Sequence, residues 1–167
     1  MRGIGAGLVV LVVLLMTSCG SIPSGPKPSP DGPAEPLAFH QVTEIRPTPC
    51  PSGPDLTYVD PNEQQSCLVL GPSRLTITRL ERVDVEQDQS GQWVVQLTVP
   101  ADAADDLAAL TTELAAKEAP ENRLAMILGA ELITAATVQG PITGGELQLA
   151  GRFTREQAED VRRRLGG

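Results

Sequence analysis

Residues 122–138 read NRLAMILGAELITAATV. Leu124-Ala125-Met126-Ile127-Leu128 is an apolar run of strand length, Gly129 lies in a tight turn, and Leu132-Ile133-Thr134-Ala135-Ala136-Thr137-Val138 is a second run of strand type. Two such runs joined by a short glycine-containing link predict a β-hairpin. Gly140-Pro141 and Gly144-Gly145 bracket the loop that follows, and Glu146-Leu147-Gln148-Leu149 alternates as a short strand. Thr154-Arg155-Glu156-Gln157 then matches a capping box, with Thr154 as the cap and Gln157 three residues on. In the helix it opens, Ala158, Val161 and Leu165 face inward. Arg162, Arg163 and Arg164 sit at the C-terminal end, where the helix dipole favours positive charge.

Upstream, Val83 and Val85 alternate with Asp84 and Glu86, Asp88-Gln89-Ser90-Gly91 reads as a hairpin turn, and Trp93, Val95, Leu97 and Val99 share one face of a second strand ended by Pro100. Asp102 is placed to cap a helix with Asp105 and Asp106 near its first turn. Ala103, Leu107, Leu110 and Leu114 give that helix its apolar stripe. Leu37-Ala38-Phe39-His40-Gln41-Val42 begins a β-like run that Pro47 and Pro49 stop. Residues 47–66 read as an irregular loop, and Leu68-Val69-Leu70 leads into a turn at Gly71-Pro72. Hairpin-linked strands with two amphipathic helices imply an α+β fold, an antiparallel sheet with both helices packed on one face.

The first residues are of another kind. Arg2 precedes a nearly unbroken apolar run from Ile4 to Met16, followed by Thr17-Ser18-Cys19-Gly20. A charged start, a short apolar stretch and a small-residue exit describe an export signal, and a spanning helix needs about 20 apolar residues. Leu15-Met16-Thr17-Ser18-Cys19 resembles the lipobox of bacterial lipoproteins, with Met16 where Leu is usual. That resemblance implies that Cys19 is acylated and becomes the first mature residue. Stable anchoring takes more than one acyl chain, each buried methylene contributing about 0.8 kcal/mol. Residues 21–36, SIPSGPKPSPDGPAEP, place Pro at 23, 26, 28, 30, 33 and 36. Such a segment is a semi-rigid spacer able to reach about 50 Å at ~3.1 Å per residue. The expected organisation is a signal over 1–18, a lipidated cysteine and proline-rich tether over 19–36, and one folded domain over 37–167. The expected location is the extracytoplasmic face of a bacterial cell membrane.

Three cysteines are present, Cys19, Cys50 and Cys67. With Cys19 used for lipid, the remaining two have one possible pairing, and export carries them to a compartment where a Cys50–Cys67 disulfide persists. The chain carries 13 basic and 21 acidic residues and a formal charge of −8. Nucleic acid repels such a surface, so no nucleic-acid partner is expected. His40 is the one histidine, and two thiols do not complete a zinc shell, so no metal is expected. No G-x-S-x-G elbow, P-loop or dinucleotide fingerprint occurs, so neither a cofactor nor catalytic residues are expected and the chain does not read as an enzyme.

From Gln92 to Gly167, and upstream in Leu37–Val42 and Cys67–Pro72, so over most of Leu37–Gly167, the residues resemble the exported P1 head region of SecD, the accessory subunit of the bacterial protein-export channel. The likeness rests on Asn122-Arg123-Leu124-Ala125-Met126-Ile127-Leu128-Gly129 and Leu132-Ile133-Thr134-Ala135-Ala136. It continues through Pro141-Ile142-Thr143-Gly144-Gly145 and the stretch Leu147-Gln148-Leu149-Ala150-Gly151-Arg152-Phe153-Thr154-Arg155-Glu156-Gln157-Ala158. SecD-like sequences carry an "RLAIVLDG" strand-turn, an "ITGG" loop and a "G-x-F-T-x-E-E-A" helix entry at the corresponding places. Here Gly129-Ala130 replaces the usual Asp-Gly, and Ala136 a common Pro. SecD itself has six transmembrane segments and works with SecF on the proton gradient, whereas only the apolar run before Cys19 approaches membrane length here. The resemblance implies the head fold, a structural role for Ile142, Thr143, Gly144, Gly145, Gly151, Phe153 and Thr154, and a protein or polypeptide partner. Two roles follow: engagement of exported polypeptides or translocon components in export or envelope quality control, or a non-catalytic adaptor docking on one dedicated membrane partner.

Overall fold

A computed structural model describes residues 35–167. The signal, Cys19 and all of the tether before Glu35 lie outside the described residues. Among those described, no helix is long and apolar enough to cross a membrane. The order is β1 (Leu37–Pro47), β2 (Leu56–Val59), β3 (Ser66–Ile77), β4 (Arg82–Gln87), β5 (Trp93–Thr98), α1 (Ala101–Ala115), β6 (Arg123–Leu128), β7 (Glu131–Thr137), β8 (Glu146–Phe153) and α2 (Arg155–Arg164). Every strand pairing is antiparallel. The α+β class and its two helices match the sequence expectation, but the strands divide between two sheets. One is five-stranded, in the order β2-β3-β1-β6-β7, and the other three-stranded, in the order β4-β5-β8.

The hairpin of residues 122–138 is the inner edge of the larger sheet. Arg123 pairs with Thr137 and Leu128 with Glu131 across the Gly129-Ala130 turn. Alternate residues of β6 serve two cores, as the two-residue period of a strand requires. Leu124, Met126 and Leu128 join the major core, where Leu37, Phe39, Val95, Leu97, Leu149 and the stripes of both helices meet. Ala125 and Ile127 join a smaller cluster with Val42, Leu68, Leu70, Leu132 and Ala135 on the sheet's other face. Among the described residues, no helix belongs to that second cluster. The sheet encloses it by curling: β1 departs from regular register at Phe39/His40, His40/Val42 and Val42/Glu44, and bulges bend a strand and raise its twist. The curl carries the β2–β3 loop to β6, where Asp60, wholly buried, accepts a 2.6 Å hydrogen bond from the Arg123 guanidinium.

Three local expectations are corrected. Gly71-Pro72 is not a turn but an interior part of β3, opposite the irregular stretch of β1 where His40 faces Ser73 and Val42 faces Leu70. A bulge leaves a ladder position unpaired, so the missing proline N–H costs nothing there. Residues 47–66 are not all loop, because β2 pairs with β3 from Leu56↔Leu70 to Val59↔Cys67. Asp102 does not cap α1. Pro100 holds that position without a side-chain bond, and Asp102 lies in the first turn, accepting from the Ala103 N–H at 3.1 Å. The α2 capping box is present in full. So is the 88–91 turn, where the Asp88 carboxylate accepts from Ser90 and Gln92.

Candidate functional site

The motif residues frame β8 from both ends. Before it, the Ile142 N–H donates to Thr111 Oγ1 of α1 at 2.8 Å, while that buried hydroxyl donates to the Leu107 carbonyl at 2.7 Å. Gly145 follows with φ +75, its carbonyl accepting from the Val99 N–H at 2.9 Å. A side chain there would meet Val99 and Ala104 at 3.0–3.1 Å. The loop therefore seats against α1 and fixes where β8 begins. At the far end, β8 bulges against β5, with Trp93 opposite Phe153 but Val94 opposite Ala150. Thr154 then caps α2. Gly151, Phe153 and Thr154 thus shape a strand end and a helix start; none is a nucleophile beside a base.

Held in this way, β8 presents its free edge to the free edge of β7. The two run antiparallel past one another without forming a ladder. Their link among the described residues is a side-chain bond, Thr134 Oγ1 donating to the Ala150 carbonyl at 3.0 Å. Three hollows follow the seam. One of about 280 Å³ lies between the end of β7 and the start of β8. A second of about 470 Å³ shares Ala136 with the first and reaches Ala150 and Arg152. A third of about 550 Å³ shares Gly151 and Arg152 with the second and opens between β7, β8 and α2. Together they form one groove bounded by Ile142 at one end and Phe153 at the other.

The wide end of the groove carries an ionic knot. The Arg164 guanidinium binds both Glu35 carboxylate oxygens at 3.0 Å, Glu131 at 2.7 Å and the Leu128 carbonyl at 3.1 Å. The hydrogen bond from Arg164 holds the Glu35 carboxyl below its usual range. The Glu35 N–H also donates to the Arg164 carbonyl, and the Gly129 N–H to the Pro36 carbonyl. The chain therefore enters the domain beside the end of α2. The dipole explanation of Arg162, Arg163 and Arg164 covers the first two, which pair with Glu159 and Asp160. Arg164 does more, and no local sequence signal pairs it with a residue 129 positions away.

Other expectations find their places elsewhere. Cys50 and Cys67 are joined, with Cα atoms 5.3 Å apart, and staple the β1–β2 connection to β3. His40 is buried in β1, its Nδ1 2.8 Å from the Gly71 carbonyl. Trp93 is half-buried against the major core, and Arg155 stacks 5.5 Å from its ring centroid. Among the described residues no group of His, Cys, Asp and Glu is arranged to hold a metal. Sequence reasoning missed Thr111, Thr134 and the Asp60–Arg123 pair. Each acts across a long sequence separation.

The model of the SecDF P1 head subdomain matches residues 55–166. The chain belongs to that family. Among curated relatives, the protein translocase subunit SecD of Acidaminococcus fermentans is 35% identical over 91 residues, which is 54% of this chain and 21% of that protein. SecD of Streptomyces coelicolor is 23% identical over 95 residues, 56% of this chain and 17% of that protein. The chain thus spans about a fifth of the length of these relatives. A solved structure of SecDF, described as a membrane component that enhances protein export, superposes with a TM-score of 0.59 at 22% identity, covering 81% of this chain and 63% of that one. SecDF in its super-membrane-facing form gives the same TM-score and identity over 81% of this chain and 19% of that one. These structures share the P1 head fold with this chain. The framing of β8 described above is therefore built from a P1 head motif, and the groove lies beside it.

Proposed function

We propose that this P1 head is carried by a non-catalytic, membrane-anchored envelope lipoprotein that binds polypeptides or translocon components and so assists protein export or envelope quality control. The observation that carries the proposal is the match of residues 55–166 to the P1 head, a domain of SecDF. A solved relative is described as enhancing protein export. The anchor is acyl lipid on Cys19, supported by the apolar run to Met16 and the Thr17-Ser18-Cys19-Gly20 exit. Mass spectrometry of the mature N-terminus is expected to find acylated Cys19, and an unmodified terminus processed elsewhere contradicts it. Purified chain is expected to bind unfolded polypeptide or a translocon component; failure to bind any of them removes the export role.

The adaptor role has one observation in its favour. Ile45 and Leu56 are exposed, at 41% and 39%, at the β1–β3–β2 end of the curled sheet, which is apolar surface suited to one fixed partner. Crosslinking from intact membranes separates the roles, since one stoichiometric partner favours the adaptor and many clients favour export.

A further inference from the structure

We infer that the seam between β7 and β8 is the place of a missing strand, and that an extended, uncharged, proline-free polypeptide segment of about six residues inserts there by backbone pairing on both sides. The inference rests on the polypeptide-binding role proposed above and names its site and mode.

The terminal strands of the two sheets differ in how they are protected. Edge strands are ordinarily kept from adding further strands by charge, proline, bulges or short length. Of the four edges, β4 carries Arg82, Asp84 and Glu86, and β2 is only four residues long. By contrast, β7 carries its one charge at its first residue, Glu131, and β8 carries Glu146 and Arg152 toward its ends, so that 132–137 and 147–151 are free of charge and proline. These two uncharged stretches of edge face each other. The middle of the groove is lined by the small residues Ala135, Ala136, Ala150 and Gly151, with Asn62, Gln92 and Arg152 beside them.

An extended backbone is the chemistry that satisfies two facing rows of N–H and C=O groups at once. Its insertion gives the continuous order β2-β3-β1-β6-β7-segment-β8-β5-β4. Paired strands lie about 4.8 Å apart, so a strand between β7 and β8 requires a separation of roughly 10 Å. The Thr134–Ala150 bond spans the seam with one hydroxyl and must break for that opening. Thr134 is thus the closure of the empty site, and the Ala150 carbonyl it releases becomes an acceptor for the incoming strand.

The test is hydrogen exchange of the full chain with and without a lysine-flanked Thr-Val-Thr-Val-Thr-Val peptide. A peptide N-methylated at alternate amides serves as control. With the peptide at ten times its Kd, exchange in both 131–137 and 146–153 is expected to slow by about tenfold. The methylated peptide is expected to have no effect. Protection of one edge alone, protection elsewhere, equal binding of the methylated peptide, or no binding of the first peptide overturns the insertion. If an unfolded chain such as reduced, carboxymethylated α-lactalbumin is still captured in those cases, the polypeptide-binding role stands and only the seam falls. A Thr134→Val variant keeps the side-chain shape and removes the bond, so it is expected to bind the peptide about fivefold more tightly. Unchanged or weaker binding by that folded variant contradicts the closure.

Discussion

Gly145 shows how one residue can carry a family signature without doing chemistry. Its φ of +75 is one that side-chain-bearing residues resist, and a Cβ would press on both Val99 and Ala104 at the start of α1. A Gly145→Ala variant is expected to lose about 2 kcal/mol of stability, from the strained backbone and the crowding together. Urea unfolding checks this, and an unshifted midpoint contradicts the seating of the loop on α1. Thr111, which receives the Ile142 N–H, explains why the same loop cannot slide.

Charge at the residue scale has a pH signature. Arg74, with Lys117 beside it, holds the Glu113 carboxyl at about 2, down from its ordinary 4.5. A carboxylate held low stabilises the fold fully above its unfolded value and loses that contribution as pH falls through its folded one. Stability is therefore expected to decline between pH 4.5 and about 2, and Glu113→Gln to flatten part of that decline. Glu113 is exposed, so added salt should weaken the effect. Identical acid-unfolding curves for the two proteins contradict it.

At the scale of elements, locally encoded features were legible and long-range ones were not. The 122–138 hairpin, the 88–91 turn and the α2 capping box are written in residues a few positions apart, and all are present. Thr154→Ala is expected to cost about 1 kcal/mol, read as a lowered Tm, because the orphan Gln157 N–H loses its acceptor. The Gly71-Pro72 pair misled because the same dipeptide serves a turn or a bulge. The choice was made by the irregular register of β1, 31 residues away at His40. Likewise β2 has no alternation of its own strong enough to announce it, and exists by pairing with β3. The disulfide was accessible through cysteine arithmetic. Its reduction is expected to cost about 3 kcal/mol in the chain-entropy account, measured as a shift in denaturation midpoint, with no shift contradicting a stapling role.

At the scale of the molecule, α+β character and an antiparallel plan followed from the order of patterned segments, whereas the split into two sheets did not. That split depends on the curl imposed by bulges in β1 and on α1 separating β5 from β6 in the chain. The groove exists only because the sheets end beside each other, so no stretch of sequence holds it. Ile142, Gly145, Gly151 and Phe153, which the family resemblance singles out, lie at the two ends of β8, whose edge is one wall of the groove. Arg164 ties the chain's entry at Glu35 to the wide end of that groove.

The most direct test places a photo-crosslinking side chain at Ala136, exposed on the β7 edge, in the full chain within intact membranes. Many different exported polypeptides are expected to be trapped, with fewer when export is blocked. A single stoichiometric partner, or trapping that is unchanged by blocking export, contradicts the account.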